Sequence, residues 1–288
     1  MTGAAPAEMD FSDWVGRSEE TTAEIAAYQA DAMAATLDRD DPPFAKGDPI
    51  PPNWHLFYMR EVVKLADTAP DGHPKRGSFM PPVPLPRRMW ASTKSTFHAP
   101  IRVGDTIRRV STIESVTPKS GTSGRLCFVT VRHEIANAGG PCVTELHNTV
   151  YREAAQPGAA APAPLPRPME PAWRREIRPS AVLLFRFSAL TMNSHRIHYD
   201  WKYVTEVEGY PGLLVHGPLT QTLLCDLFRR ERPEATLKTF DTRAVSPLYD
   251  THDFAVEGAP GADGRSATLW AVNHQGGLAM TAEATFEE

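Results

Sequence analysis

The chain has 288 residues, of which 41% are hydrophobic and 23% charged, and its formal net charge is −5. This length exceeds that of a typical single domain, and the composition is that of a folded chain rather than a largely disordered one. Because the charge comes without a block of Lys or Arg, neither nucleic acid nor an anionic membrane is an expected partner. No apolar run reaches membrane-spanning length.

The three cysteines, at positions 127, 142 and 225, are odd in number and lack CxxC spacing. Neither a disulfide framework nor a zinc site is therefore expected. The N-terminal residues 1–11 are rich in Ala and acidic, and they lack the charged and apolar regions of a secretory signal. We expect a cytoplasmic protein.

The first predicted element is a helix that ends at about Leu37. Ser18 and Thr21 can cap its N-terminus, and Thr21 and Glu24 are spaced as a capping box. Between Asp40 and Pro86, prolines interrupt every periodic pattern. We interpret this region as a long covering loop with short helical pieces between residues 54 and 66.

The order of sequence signals is repeated in the two halves of the chain. Each half has a Pro-apolar pair before Asp-Thr, then a β-rich stretch, a histidine and a Gly-Gly hairpin turn, at residues 100–106, 126–131, 133 and 139–140 and again at 247–251, 267–272, 274 and 276–277. Such repetition predicts one supersecondary unit used twice. The Ala/Pro-rich tract 154–171 is typical of a semi-rigid linker. It divides the chain into an N-terminal domain of residues 1–153 and a C-terminal domain of residues 172–288.

The second half begins with two predicted helices. Pro179 and Ser180 precede an apolar run at 181–190, which predicts a capped helix. Further on, leucines at 219, 223 and 227 recur every four residues, as in a helix that faces a core. Helices followed by consecutive antiparallel strands indicate the α+β class, with a sheet wrapped around a central helix.

The segment 187–200, FSALTMNSHRIHYD, carries the candidate chemistry. It places Asn193 five residues before His198. Downstream, the His-Gly-Pro turn at 216–218 opens the long predicted helix, whose first backbone N–H groups can bind an anion. The pair of motifs resembles the MaoC-like, or (R)-specific enoyl-CoA hydratase, family. Together with MPPVPLPRRMW at 80–90, the motif is similar to the mesaconyl-C4-CoA (3-methylfumaryl-CoA) hydratase branch, and this resemblance extends over nearly the whole chain.

The resemblance implies a double hot-dog fold, in which two antiparallel sheets, each wrapped around a central helix, form a pseudo-dimer. It also implies that His198 is the catalytic histidine and that the Gly217 N–H contacts the thioester oxygen. Asn193 stands where most members carry a catalytic aspartate, and His195 replaces the usual asparagine. Since residues 28–41 of the first half contain no histidine, we expect that half to shape the acyl or CoA pocket.

These residue types suit a hydro-lyase, a hydratase or dehydratase of short acyl-CoA thioesters. An imidazole can accept and return a proton near neutrality. The neutral amide of Asn193 can hold water but cannot take its proton. An amide there also suits an acidic substrate such as mesaconyl-C4-CoA, giving citramalyl-CoA, because a second carboxylate would be repelled. Five further residues are predicted to bind substrate: Arg87, Trp90, Arg186, His195 and Arg196. Of these, Arg186 and Arg196 could pair with the carboxylate of the substrate.

Several other interpretations stay open. A histidine near a helix end often has only a structural role, and His195 and His198 lack an evident third ligand, so we predict no metal site. We predict no cofactor apart from the CoA carried by the substrate. Alternative functions are a 3-hydroxyacyl-thioester dehydratase of fatty-acid synthesis, a thioesterase, and a non-catalytic acyl-thioester-binding protein. Association of two chains into a homodimer also remains open.

Overall fold

A computed structural model describes residues 10–121, 124–153 and 163–288. It contains ten strands and three α-helices in these ranges. The elements are β1 (Ser18–Glu24), α1 (Ala27–Thr36), β2 (Arg87–Phe97), β3 (Thr106–Gly121), β4 (Gly124–Asn137), β5 (Gly140–Arg152), β6 (Trp173–Ile177), α2 (Ala181–Leu190), α3 (Gly217–Glu231), β7 (Thr236–Ala244), β8 (Phe254–Pro260), β9 (Ser266–Val272) and β10 (Leu278–Glu287). None of the helices in these ranges combines the length and apolar character needed to cross a membrane.

All ten strands form one antiparallel sheet in the order β1-β3-β4-β5-β2-β7-β10-β9-β8-β6. Read from each edge toward the centre, the two halves of this order have the same topology, because β6, β8, β9, β10 and β7 occupy the places of β1, β3, β4, β5 and β2. The predicted α+β double hot-dog fold is confirmed. The two predicted sheets are continuous, since residues 92–96 of β2 pair with residues 239–243 of β7.

The long helix α3 lies in the curve of the second half, where it contacts β6 to β10. Its residues 219–228 are all buried. The first half departs from the predicted pattern of one central helix in each half. Only the short α1 and 3-10 turns at Trp54–Phe57 and Leu65–Asp67 lie between β1 and β2. The prolines of this segment prevent a longer helix.

The helix predicted from Ser18 to Leu37 is wrong in its first part. Residues Ser18–Glu24 form β1, which pairs with Thr106–Thr112 of β3, and the helix begins only at Ala27. Pairing with β3 satisfies the backbone of the β-branched Thr21 and Thr22 better than a side-chain cap could. The α2 prediction is confirmed, because Ser180 Oγ accepts a hydrogen bond from the Leu183 N–H at 3.2 Å.

The loop and turn predictions agree with the structure. Short 3-10 turns lie inside the proline-rich region, and Gly140 and Gly276, both with positive φ, stand at the β4–β5 and β9–β10 hairpins. Half of the predicted linker, residues 154–162, lies outside the described residues. The proposed domain boundaries therefore stay a prediction, although the topology changes from one half to the other between β5 and β6.

A buried carboxylate connects the two halves near the C-terminal part of α3. The side chain of Asp226 is fully buried, and its oxygens accept hydrogen bonds from Arg39 at 2.7 Å, Arg175 at 3.0 Å and Arg230 at 2.7 Å. Arg39 follows α1, whereas Arg175 lies on β6. Three guanidinium groups from three parts of the chain therefore converge on one carboxylate.

Substitution of Asp226 by Ala should destabilise the protein by about 3–5 kcal/mol, because it leaves the partly buried guanidinium groups of Arg175 and Arg230 without their paired carboxylate, whereas Arg39 keeps Asp41 at 2.6 Å. Urea unfolding measures this difference. Asp241→Ala is the matched control: Asp241 lies 3.9 Å from Lys94, and both side chains are largely exposed. That substitution should change the free energy of unfolding by less than about 1 kcal/mol. Equal losses in the two variants would contradict a special role for the buried carboxylate.

Candidate active site

Two stacked histidines lie at the N-terminus of α3. The rings of His198 and His216 are 3.7 Å apart between centroids and 18° from parallel, and both side chains are buried. His198 Nδ1 lies 2.7 Å from the carbonyl oxygen of Leu214. Because a carbonyl only accepts, Nδ1 carries the proton and donates it to this bond. In the neutral ring, Nε2 is therefore the basic nitrogen of His198.

Burial lowers the pKa of His198 to about 4, although the bond to Leu214 opposes the shift. The pKa of His216 also lies well below its ordinary value, chiefly because of burial and secondarily because of the neighbouring His198 and Arg60. Both rings are neutral at pH 7. The sequence-based expectation that His198 exchanges a proton near neutrality did not include this desolvation.

Gly217 is the first residue of α3 and Pro218 the second. The Gly217 N–H belongs to the first turn, whose N–H groups have no acceptor within the helix. A Cβ at Gly217 would lie 2.7 Å from Cε3 of Trp90, so only glycine allows this approach. Trp90, a predicted substrate-binding residue on β2, thus covers the start of α3 from the first half.

Asn193 lies in the loop between α2 and the 3-10 turn Arg196–His198. Its side-chain oxygen accepts a hydrogen bond from the backbone N–H of His195 at 3.1 Å. The backbone N–H of Asn193 donates to Ser188 O at 2.9 Å. The carbonyl end of the side chain is therefore engaged in shaping the loop. What Asn193 can offer to a ligand is the Nδ2 amide, which donates and does not accept protons.

A loop of the first half, residues 70–73, supports the loop that carries His198. The Arg196 N–H donates to Asp71 O at 2.9 Å, and Ser194 Oγ donates to Gly72 O at 2.5 Å. The ring of His73 lies 3.9 Å from that of His195, which in turn is 5.5 Å from His198. Four imidazoles, at positions 73, 195, 198 and 216, thus form a row at the junction of the two halves.

Asp71, His73 and His195 have side-chain donor atoms within 4.8 Å of one another. The sequence predicted no metal because no third ligand was evident near His195, and the structure supplies two candidates from the first half. Two imidazoles and one carboxylate can hold a divalent cation. The Asp71 oxygen Oδ2 already lies 3.1 Å from His73 Nδ1, and this contact fixes the orientation of the His73 ring. The chemistry proposed below makes no use of this group.

The arginines predicted to bind a substrate carboxylate have other places in the structure. Arg196 forms hydrogen bonds to Asp200 at 3.0 and 2.8 Å, and its guanidinium stacks on Tyr203. Arg186 lies on the exposed side of α2. Neither arginine lines the cavity described next, because the i,i+4 contact holds Arg196 and the helix face directs Arg186 outward. Arg87, the third arginine predicted to bind substrate, donates to Tyr210 Oη at 3.1 Å. This bond connects β2 to the second half.

A cavity of about 110 Å³ lies on the first-half side of the α3 N-terminus, where Trp90, Pro218 and Gln221 form part of its wall. Its titratable lining residues are His55, Arg60, Arg109, His133, Glu145 and His147. Sequence reasoning missed all six, as well as Ser188, which bonds to His216 Nε2 at 2.8 Å. For His216 a signal existed, since it directly precedes Gly217. For the cavity there was none, because its residues are far apart in the chain.

The sequence model of the family described as "Hydroxyacyl-thioester dehydratase type 2" matches residues 53–250. The chain belongs to this family. The chain is 44% identical over 257 residues to the mesaconyl-C(4)-CoA hydratase of Chloroflexus aurantiacus. This match covers 88% of the chain and 90% of that protein. The predicted MaoC-like relationship and the hydro-lyase class are thereby confirmed: the protein is an enzyme of the hydratase/dehydratase class that acts on acyl-thioesters.

Solved structures of distant sequence show the same fold. A MaoC-like dehydratase from Phytophthora capsici superposes with a TM-score of 0.68 at 14% identity, covering 95% of this chain and 96% of its own. A Mycobacterium tuberculosis protein described as having a double hotdog fold superposes with a TM-score of 0.56 at 14% identity, covering 94% and 96%. At these identities the likeness establishes the fold alone.

The contact between the 70–73 loop and the His198 loop can be tested at Gly72. Its φ is +90°, and a Cβ there would overlap the carbonyl oxygen of Ser194. Gly72→Ala should therefore displace the His198 loop and lower kcat on the order of 10- to 100-fold. Gly77→Ala is a matched control with a φ of +94°, where a Cβ would meet only Pro82 at 3.9 Å. An equally reduced kcat in both variants would show that the loss comes from backbone strain and not from the contact with Ser194.

Proposed function

We propose that the enzyme hydrates mesaconyl-C4-CoA to citramalyl-CoA, with His198 as the general acid/base and the Gly217 N–H as the oxyanion donor. The observation that carries this proposal is the geometry of His198. It is a buried, neutral imidazole whose tautomer is set by Leu214 O and which stacks against the residue preceding Gly217. The name of the Chloroflexus relative supports the choice of substrate.

In the proposed reaction, His198 Nε2 takes a proton from water while the water oxygen bonds to the β-carbon of the thioester. The π electrons of the double bond move to the thioester oxygen, where the Gly217 N–H stabilises the enolate. The proton on Nε2 then returns to the α-carbon, which restores the thioester and the neutral imidazole. General acid/base catalysis contributes roughly 10²–10⁴-fold, and loss of an oxyanion donor typically costs about 3–4 kcal/mol.

The surroundings of His198 fit this role. The Nδ1–H bond to Leu214 O strengthens when the ring becomes an imidazolium, because the donor is then charged. Asn193 cannot act as a second base, so His198 carries the proton alone, and the Asn193 Nδ2 amide orients the water or the substrate. A neutral side chain at position 193 also avoids repulsion of a substrate carboxylate.

A 3-hydroxyacyl-thioester dehydratase is the second candidate, because the same groups catalyse the reverse reaction and the family description names it. The lining of the first-half cavity favours the first candidate. A long alkyl chain placed against Arg60, Arg109 and Glu145 would desolvate these charges without pairing them. The thioesterase and the non-catalytic binding protein have no comparable support, since the family to which the chain belongs is one of hydratases and dehydratases.

The carrier, the location and the assembly belong to the same proposal. We favour CoA over an acyl carrier protein as the thioester carrier, and the cytoplasm as the location. All three cysteines are free and buried, which supports a reducing compartment. Pairing of two chains as a homodimer would be consistent with this function but is not needed for it, because both halves of the site lie on one chain.

The substrate proposal is tested by hydration assays with purified protein on mesaconyl-C4-CoA, crotonyl-CoA and a long-chain enoyl-CoA. We expect the highest kcat/KM on mesaconyl-C4-CoA, and a loss of at least roughly 100-fold in His198→Gln. His98→Gln, at an exposed histidine whose ring contacts Thr144 Oγ1 at 2.9 Å, should leave the rate unchanged. Preference for crotonyl-CoA or for the long-chain substrate would overturn the substrate assignment, and an active His198→Gln variant would overturn the role of His198.

The pH dependence of kcat/KM for hydration should reflect the low pKa of His198. The base must start neutral, so activity should rise with pH through about 4 and be nearly constant from about 6 to 8. A carboxylated substrate titrates in the same range, and the profile is therefore measured with crotonyl-CoA as well. A midpoint near 6.5 with crotonyl-CoA would show that His198 is solvated in the free enzyme, contrary to the structure.

A further inference from the structure

The polar cavity of the first half adjoins the candidate active site but has no part in the proton transfers. Trp90, which packs on Gly217, and Pro218, the second residue of α3, belong to its wall. The lining residues of the cavity come from the segment 53–60, from strands β2 to β5 and from the start of α3. Because Pro218 directly follows Gly217, the cavity adjoins the backbone that would bind the thioester oxygen.

Two arginines of the cavity have buried groups without a partner. Nε of Arg60 and Nε of Arg109 are inaccessible to solvent and make no hydrogen bond within the described residues. Arg109 also donates through Nη1 to Met59 O at 2.7 Å. The carboxylate of Glu145 is engaged elsewhere, since Oε1 accepts a hydrogen bond from Ser95 at 3.0 Å and lies 3.1 Å from His55 Nε2.

The cavity therefore has an excess of positive charge. Burial lowers the pKa of His133 to about 3 and that of His147 to about 4, so both rings are neutral at pH 7. Two guanidinium groups then face one carboxylate. Burial lowers the pKa of Arg60 to about 10, with a further contribution from Arg109, and Arg60 stays protonated.

Arg60 is the less compensated of the two cations. The exposed carboxylates of Glu19 and Glu61 act on Arg109 in addition to Glu145. Within the described residues, Glu145 is the carboxylate that acts appreciably on Arg60. A desolvated cation without a full counter-charge is unfavourable, and a ligand carboxylate would relieve this cost.

The position of Arg60 also fits the reacting carbon. In mesaconyl-C4-CoA the free carboxylate is attached to the β-carbon, the atom to which the hydroxyl adds, so it must lie close to His198. Arg60 is near enough to His216, which stacks on His198, to contribute to the low pKa of that ring. The Arg60 guanidinium thus lines the cavity and is close enough to the stacked His198 and His216 rings for its charge to act on His216.

We propose that Arg60, assisted by Arg109, binds the carboxylate of the acyl group and so determines the preference for a carboxylated enoyl-CoA. The inference rests on the proposed function and identifies the residues that would recognise its substrate. Forked hydrogen bonds from a guanidinium match a carboxylate in geometry as well as in charge. These two arginines take the role that sequence reasoning gave to Arg186 and Arg196.

The test compares two substrates that differ in one group, mesaconyl-C4-CoA and 3-methylcrotonyl-CoA, in which a methyl replaces the carboxylate. Arg60→Met should lower kcat/KM roughly 10- to 100-fold on mesaconyl-C4-CoA, as expected for loss of a charge-assisted hydrogen bond, and less than about threefold on 3-methylcrotonyl-CoA. Arg60→Lys, which keeps the charge, should retain an intermediate preference. Arg178→Met removes an exposed guanidinium and should change neither value.

Each result has one meaning. Equal losses on both substrates, or no loss on either, would overturn the role of Arg60 even where the wild type prefers mesaconyl-C4-CoA. A wild type without that preference would instead overturn the proposed function. Met fills a volume similar to that of the arginine stem, and Glu145 keeps its hydrogen bond from Ser95 and its contact with His55, so Arg60→Met is expected to fold. If Arg60→Met does not fold, the preference of Arg60→Lys decides: a preference no different from that of the wild type would count against the inference.

Discussion

The structure depends on the burial of residues 219–228 of helix α3. A helix buried on every side cannot leave its polar residues to solvent, and α3 carries several. The first half supplies their partners: Asn53 accepts a hydrogen bond from Gln221 at 3.0 Å, and Arg39 pairs with Asp226 at 2.7 Å. These contacts hold the helix between the two halves and thereby fix the position of its N-terminus, where Gly217 and His216 lie.

The duplicated fold has become asymmetric around this helix. The second half keeps the long helix and provides His198, His216 and Gly217. Between β1 and β2 the first half has only α1 and short 3-10 turns, and one of these turns, Trp54–Phe57, contributes to the wall of the polar cavity. It also contributes Trp90 over Gly217 and the 70–73 loop against the His198 loop. The site is thus assembled from both halves, although only one carries the family motif.

Burial has opposite consequences for the two kinds of charged group in the site. It keeps the histidines neutral, so His198 starts as a base with a defined tautomer. The arginines stay charged because their pKa values are high even after desolvation, and Arg60 therefore offers a cation in a place where water solvates it poorly. A neutral base beside an undercompensated cation is an arrangement suited to an anionic substrate. The neutral Asn193 is consistent with the same electrostatic requirement.

Local signals in the sequence determined the parts of the protein that depend on near neighbours. Ser180 as a cap predicted α2, the leucine spacing predicted α3, the glycine pairs predicted hairpins, and the spacing of Asn193 and His198 identified the family. The tertiary structure decided the rest. Residues 18–24 form a strand because their partner, β3, is distant in the chain, and Arg196 is taken by Asp200. Arg60, Arg109 and Glu145 meet only in the folded sheet, and the pKa of His198 follows from its burial. Periodicity and capping act over a few residues, whereas desolvation and charge compensation depend on every group that the fold brings close.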